Sequence, residues 1–130
     1  MLNPEQAAAI LDWIGRRPRG GRRLHAFFAT LYYCGPRPAE AVAMRVEDVT
    51  LPEPDAECQW CELLIHVPGR PALTRILRQH IEDERLRPGD LLFLGEAGGI
   101  LAGSVIRRAW RSAQVAERRH PARSGGGVGR

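Results

Sequence analysis

Proline and glycine fall in pairs and short clusters along this chain, and each cluster ends one apolar, periodic segment before the next begins. Proline lacks an amide hydrogen and restricts the residue before it, and glycine opens backbone angles that other residues avoid, so these clusters fix where regular structure stops. Asn3-Pro4-Glu5 opens a helix, with a capping side chain, a proline at the first helical position and an acid in the first turn. Ala7, Ile10, Leu11 and Ile14 then recur at the helical period and predict a helix to about Arg16. Arg17-Pro18-Arg19-Gly20-Gly21 reads as a basic loop. A second helix, from about Arg22 to Tyr33, carries the broad stripe Leu24, Phe27, Phe28, Leu31 and Tyr32. That stripe marks the core helix, with Tyr32 and Tyr33 expected to pack inward. Gly35-Pro36 ends it, and Pro38 starts a third, short helix through Met44.

Beyond Met44 the pattern changes. Val46 to Leu51 reads as extended, Pro52-Glu53-Pro54-Asp55 as a turn, and Cys58 to Val67 as a strand, so the two runs are expected to pair as a small antiparallel sheet closed by Pro68-Gly69-Arg70-Pro71. The stripe Leu73, Ile76, Leu77, His80 and Ile81 predicts a fourth helix from Ala72 to about Glu84. A turn at Arg87-Pro88-Gly89-Asp90, a short apolar run from Leu91 to Leu94 and a glycine-rich loop from Gly95 to Gly99 lead to a last helix, Gly103 to about Arg118. Val105, Ile106, Ala109, Trp110 and Ala113 face inward on that helix, and Arg107, Arg108 and Arg111 face outward. The expected fold class is mainly α with a small antiparallel β-sheet, an α+β domain over residues 1–119. Residues 120–130 read as a disordered Arg/Gly-rich tail, too poor in apolar groups to offset the entropy of ordering.

At 130 residues the chain is one domain or part of one. No apolar run approaches the roughly 20 residues that span a bilayer, so no membrane partner is expected. The first residues carry neither the positive opening nor the apolar segment of a secretory signal, and the expected location is cytoplasmic. Three cysteines in such a chain are expected to be reduced thiols. All 19 basic side chains are arginine, with no lysine anywhere. Residues 1–46 hold seven arginines against three acids, residues 47–103 five against eleven, and residues 104–130 seven against one. Two basic ends around an acidic middle fit a polyanion-facing surface, the electrostatic footprint of nucleic-acid binding, and equally fit a solvated arginine-rich surface.

The most specific stretch is Gly35-Pro36-Arg37-Pro38-Ala39-Glu40, preceded by the aromatic helix and followed by Met44-Arg45-Val46-Glu47-Asp48-Val49. An apolar helix breaks, presents one guanidinium and resumes as a new helix, which holds a rigid fork of donors in a fixed place. This stretch resembles the first arginine box of tyrosine recombinases, the phage integrase family, and arginine-rich versions from actinobacterial integrases look most similar. The similarity extends weakly through Leu92 to Gly99 and into Ala109-Trp110-Arg111, covering roughly residues 20 to 115.

The resemblance implies a partial recombinase catalytic domain in which Arg37 clamps a non-bridging phosphate oxygen and Glu40 is a structural acid. The partner that the resemblance implies is double-stranded DNA, with Arg45, Arg70, Arg107, Arg108 and Arg111 as the expected DNA-binding side chains. The family's sheet lysine has no counterpart, and Arg70 is the nearest cation. His120-Pro121-Ala122-Arg123 matches the spacing of the family's His-x-x-Arg box without the residues that usually surround it, which makes His120 and Arg123 weak catalytic candidates. The family's nucleophile is a C-terminal tyrosine, whereas Tyr32 and Tyr33 precede the arginine turn. The chain is therefore expected to stop short of the nucleophile and to bind DNA without cutting it alone. The alternative is a non-catalytic helical module that pairs with an intact recombinase, another protein or a second copy of itself.

Other constellations point to little chemistry. Cys58-Gln59-Trp60-Cys61 with His66 lacks the second cysteine pair that a tetrahedral zinc site would use, so no metal and no cofactor are expected. Two strand residues three apart would also face opposite ways. His25 and His80 fall on helical stripes as core-edge residues, and the glycine-rich loop lacks the Lys-Ser/Thr of a phosphate loop. No small-molecule substrate is expected.

Overall fold

The apolar stripe of the second helix becomes the centre of the packing. The computed structural model describes residues 3–18, 20–64, 67–95 and 99–119. Its elements are α1 (Pro4–Gly15), α2 (Gly21–Cys34), α3 (Pro38–Ala43), β1 (Val49–Thr50), β2 (Cys61–Leu63), β3 (Val67–Gly69), α4 (Pro71–Glu84) and α5 (Gly103–Arg119). The protein is mainly helical with one small antiparallel sheet of order β1-β2-β3. Among the described residues, no helix is long and apolar enough to cross a membrane.

Phe27 is fully buried on α2, and its ring meets Phe28 and Phe93 edge-on at 5.3 and 5.4 Å. Phe28 reaches Trp110 of α5 at 5.5 Å. Ile10 and Ile14 of α1, Leu73 and Leu77 of α4, and Ala109 and Ala113 of α5 join the same cluster. Alanines on α5 let its backbone approach closely, which explains how so arginine-rich a helix docks. Val105, expected inward on α5, is instead 37% exposed, in a depression it shares with Arg23 and Leu24 of α2 and with Ile100, Leu101 and Ala102.

The helix boundaries follow the sequence closely. Asn3 Oδ1 accepts from the Gln6 amide at 2.7 Å, and Gln6 Oε1 accepts in return from the Asn3 amide at 3.1 Å, a reciprocal cap at the start of α1. The α1–α2 corner needs glycine at position 21, where a β-carbon would lie 2.8 Å from the Ile14 carbonyl oxygen and 2.9 Å from that of Gly15. Those are backbone atoms, and they cannot step aside.

The sheet departs from the sequence reading in two places. Val46–Asp48 forms a short 3₁₀ turn rather than extended chain, closed by Asp48 Oδ2 accepting from the Arg45 amide at 2.8 Å. An Asp or Asn three residues along competes locally for an amide that a strand would leave free. The expected long strand from Cys58 to Val67 is a hairpin. Leu64 enters the left-handed region at φ 54° and donates its amide to the Asp48 carbonyl, so β2 ends at Leu63 and the chain returns as β3 through Pro68 and Gly69. Pairing is antiparallel throughout, with Val49 opposite Leu63 and Cys61 opposite Gly69. Only Cys61 and Leu63 of β2 face the core.

The 88–92 segment packs beside the end of α3. Leu92 donates to the Met44 carbonyl at 2.8 Å and Val46 to that of Asp90 at 3.0 Å. This brings Phe93 under Phe27 and places the Leu92 carbonyl 2.6 Å from His80 Nε2. Burial lowers the His80 pKa below its usual 6.5 and outweighs the hydrogen bond to Leu92, which acts in the opposite sense. Burial likewise lowers that of His25, against the pull of Asp12.

Phe27→Ala should cost about 3–5 kcal/mol of unfolding free energy in urea titrations, from lost burial and a residual cavity. Gly21→Ala should cost about 1–3 kcal/mol, since the α1–α2 corner must open. Both histidines are held neutral when folded, so acid favours the unfolded chain. Their contribution is complete above the unfolded value of 6.5 and is lost as pH falls from there towards the lowered folded values. Melting temperature should therefore drop on acidification from neutral pH to about pH 5.5, and the His25→Gln/His80→Gln double variant should show a shallower drop.

Candidate nucleic-acid interface

The turn carrying Arg37 is built by three successive backbone constraints. Gly35 caps α2 at φ 68°, in the left-handed region that glycine enters without a β-carbon clash, and its amide donates to the Leu31 carbonyl at 2.9 Å. Arg37 is extended, at φ −68° and ψ 145°, and Pro38 is the first residue of α3. Glu40 Oε1 then accepts the Arg37 amide at 2.9 Å. Glu40 thus fixes the backbone of Arg37 from one turn along, leaving the guanidinium exposed. Among the described residues, that guanidinium makes no hydrogen bond or ion pair with the protein.

Two depressions share the last turn of α2, and Arg37 itself lines neither. One is a cavity of about 370 Å³ lined by Ile10, Phe28, Leu31, Tyr32, Pro38, Ile106 and Trp110, with Arg107 as its charged residue. The other is lined by Pro4, Ala8, Leu11, Leu31, Tyr32, Tyr33 and Arg70. Leu11, Leu31 and Tyr32 belong to both, so the depressions holding Arg107 and Arg70 meet at one tyrosine, and Pro38, the residue after Arg37, lines the one with Arg107. The bond from Cys34 Sγ to the Pro68 carbonyl at 3.5 Å ties β3, and hence Arg70, to the end of α2. Arg70, Arg37 and Arg107 come from three different elements, and α2 gathers them.

Tyr32 is a correction to the sequence reading. It is 45% exposed, although it lies on the apolar stripe. Helical period tells which residues share a face, but not how far the partner helices extend along it, and the last turn of α2 passes beyond its cover. Tyr33 is half-buried and meets the Tyr32 ring edge-on at 5.2 Å. The exposed aromatic was the functional candidate missed, and its adjacency to the Gly35 break was the available signal.

The remaining arginines divide between several faces. Arg108 lines a separate depression with Arg17 and Arg23 near the 94–102 loop. Arg23 there is committed to the fold, bonded from Nε to Glu84 at 3.0 Å and from Nη1 to the Gly95 carbonyl at 3.1 Å. Arg45 sends Nη1 to the Gly89 carbonyl at 2.5 Å and, like Arg37, lines neither depression. Arg111 is exposed on α5. His120, Arg123 and His66 lie outside the described residues.

Two other clusters carry little chemistry. A cleft between α1, α2 and α4 holds Asp12, Arg22, His25, His80 and Asp83, but its charges neutralise one another in the Asp12–Arg16 and Arg22–Asp83 pairs at 2.9 and 3.5 Å. Burial pushes the Cys34 thiol up to about 11, helped by nearby Cys61, so it is a poor nucleophile. All three cysteines are free, with Cys58 exposed and Cys61 buried. No group of three or more His, Cys, Asp or Glu among the described residues could hold a metal ion. Comparison with family models, curated proteins and solved structures gives no match for this chain.

Proposed function

We propose that this chain is a DNA-binding, integrase-like element of DNA integration or recombination, in which Arg37 grips a backbone phosphate. The observation that carries this reading is the Arg37 guanidinium itself, exposed and uncommitted on a turn whose backbone is fixed by Gly35, Pro38 and Glu40. A preorganised cation loses little on binding an anion, and a planar fork matches two phosphate oxygens at once. Arg70 and Arg107 around Tyr32 extend the charge along a path a strand could follow. As a partial recombinase catalytic domain, the chain would position DNA through phosphate contacts. Arginine does not give up a proton at working pH, so Arg70 cannot take over the acid role of a lysine.

A second reading rests on the apolar lining of the cavity between α1, α2 and α5, which a helix of an intact recombinase or of a second copy could cover. Light scattering separates the two. A monomer at all concentrations leaves the DNA reading alone, and a concentration-dependent dimer supports the pairing module.

Affinity for duplex DNA should fall steeply with salt, since each neutralised phosphate releases counterions. Arg37→Ala should weaken binding and lower the slope of log K against log salt by about 1. Arg16→Ala, on the Asp12 pair away from this surface, should change neither. Salt-insensitive binding, or no difference between the two variants, would count against the proposal.

A further inference from the structure

We infer that the DNA this surface is shaped to hold is an unpaired strand, whose bases stack on Tyr32 while Arg107 and Arg70 take the phosphates on either side. The inference rests on the reading of this face as a DNA interface and narrows it to one form of DNA. An exposed tyrosine standing between two arginine-bearing depressions is the arrangement a stacking platform requires, because every base has a π-face and every linkage a charge. Tyr32 is held in place by the edge of Tyr33 at 5.2 Å, so little side-chain freedom remains to be lost on stacking.

The cavity beside Tyr32 distinguishes an unpaired strand from a duplex. Its walls include three aromatic rings, Phe28, Tyr32 and Trp110, of which Phe28 is buried and tilted at 30° against Trp110, 5.5 Å away. A duplex keeps its bases stacked on each other and offers a protein only phosphates, sugars and groove edges. Such a partner has no use for a hole of about 370 Å³ lined by apolar side chains, whereas an unstacked base can fill it. The side-chain hydrogen-bonding groups of the lining are Arg107, the Tyr32 hydroxyl and the Trp110 indole N–H. The rest is apolar, so bases are taken chiefly by their faces and preference among them is weak.

Fluorescence anisotropy with labelled oligothymidylate and a duplex of equal length tests this in the full chain. The single strand should bind at least several-fold more tightly than the duplex at equal salt. Tyr32→Ala should weaken single-strand binding about tenfold and leave duplex binding nearly unchanged, while Tyr32→Phe, which keeps the ring, should bind like the parent. Circular dichroism on both variants confirms that the fold is intact. Duplex binding equal to or tighter than single-strand binding, with Tyr32→Ala silent, overturns the inference and leaves the DNA interface standing. Loss of the preference in both Tyr32→Ala and Tyr32→Phe overturns stacking as its basis. No binding to either form of DNA overturns the interface itself. Self-association that Tyr32→Ala dissolves, without binding to the single strand, assigns the cavity to a second copy and also overturns it.

Discussion

Burial of one face of α2 is the constraint on which the rest depends. Phe27 and Phe28 gather α1, α4, α5 and the 92–93 segment around a single helix, and they do so with rings that meet edge-on at 5.3 to 5.5 Å or tilt against Trp110. Three residues of the proposed site lie at or beside the C-terminal end of that helix. Arg37 follows it through the Gly35 cap, Arg70 is joined to it through Cys34 and β3, and Tyr32 is its last uncovered turn. Each new rotation or shift of α2 in its core would move all three together. Packing thus sets the relative positions of charges that are far apart in sequence.

An all-arginine basic set gives this arrangement its character. Arginine stays charged and presents several donors, so one guanidinium can serve the fold and another the surface without any change of chemistry. Arg23 and Arg78 are spent on the protein, the first on Glu84 and Gly95 and the second on the Pro52 carbonyl. Arg37 is not spent. What separates these roles is the neighbourhood supplied by the backbone, since the side chains are identical.

The helices were legible because their signals are local. Asn3-Pro4, Gly35-Pro36 and Pro71 each mark a boundary by their own stereochemistry, and the structure places the corresponding ends within a residue or two. The small sheet was legible as a pairing of the 49–50 and 61–63 regions, but not as a hairpin, because the turn at Leu64 lacks a glycine and depends on its bond to Asp48. Of the proposed site, Arg37 and Glu40 could be read from one short stretch. The company of Arg70 and Arg107 could not, since it depends on which faces of β3 and α5 the core selects. Tyr32 was misread for the same reason: period defines a stripe, and only tertiary cover decides where along it burial ends.

The account's central claim is that one uncommitted guanidinium, held at the break between α2 and α3, meets a DNA phosphate. Arginine side-chain Nε–Hε resonances followed by NMR during titration with DNA test this residue by residue. The account predicts that the signals of Arg37, Arg70 and Arg107 shift together, while those of Arg23 and Arg78, already bonded within the protein, stay in place. Shifts confined to Arg17 and Arg108 on the other face, or an unmoved Arg37 signal at saturating DNA, would contradict it.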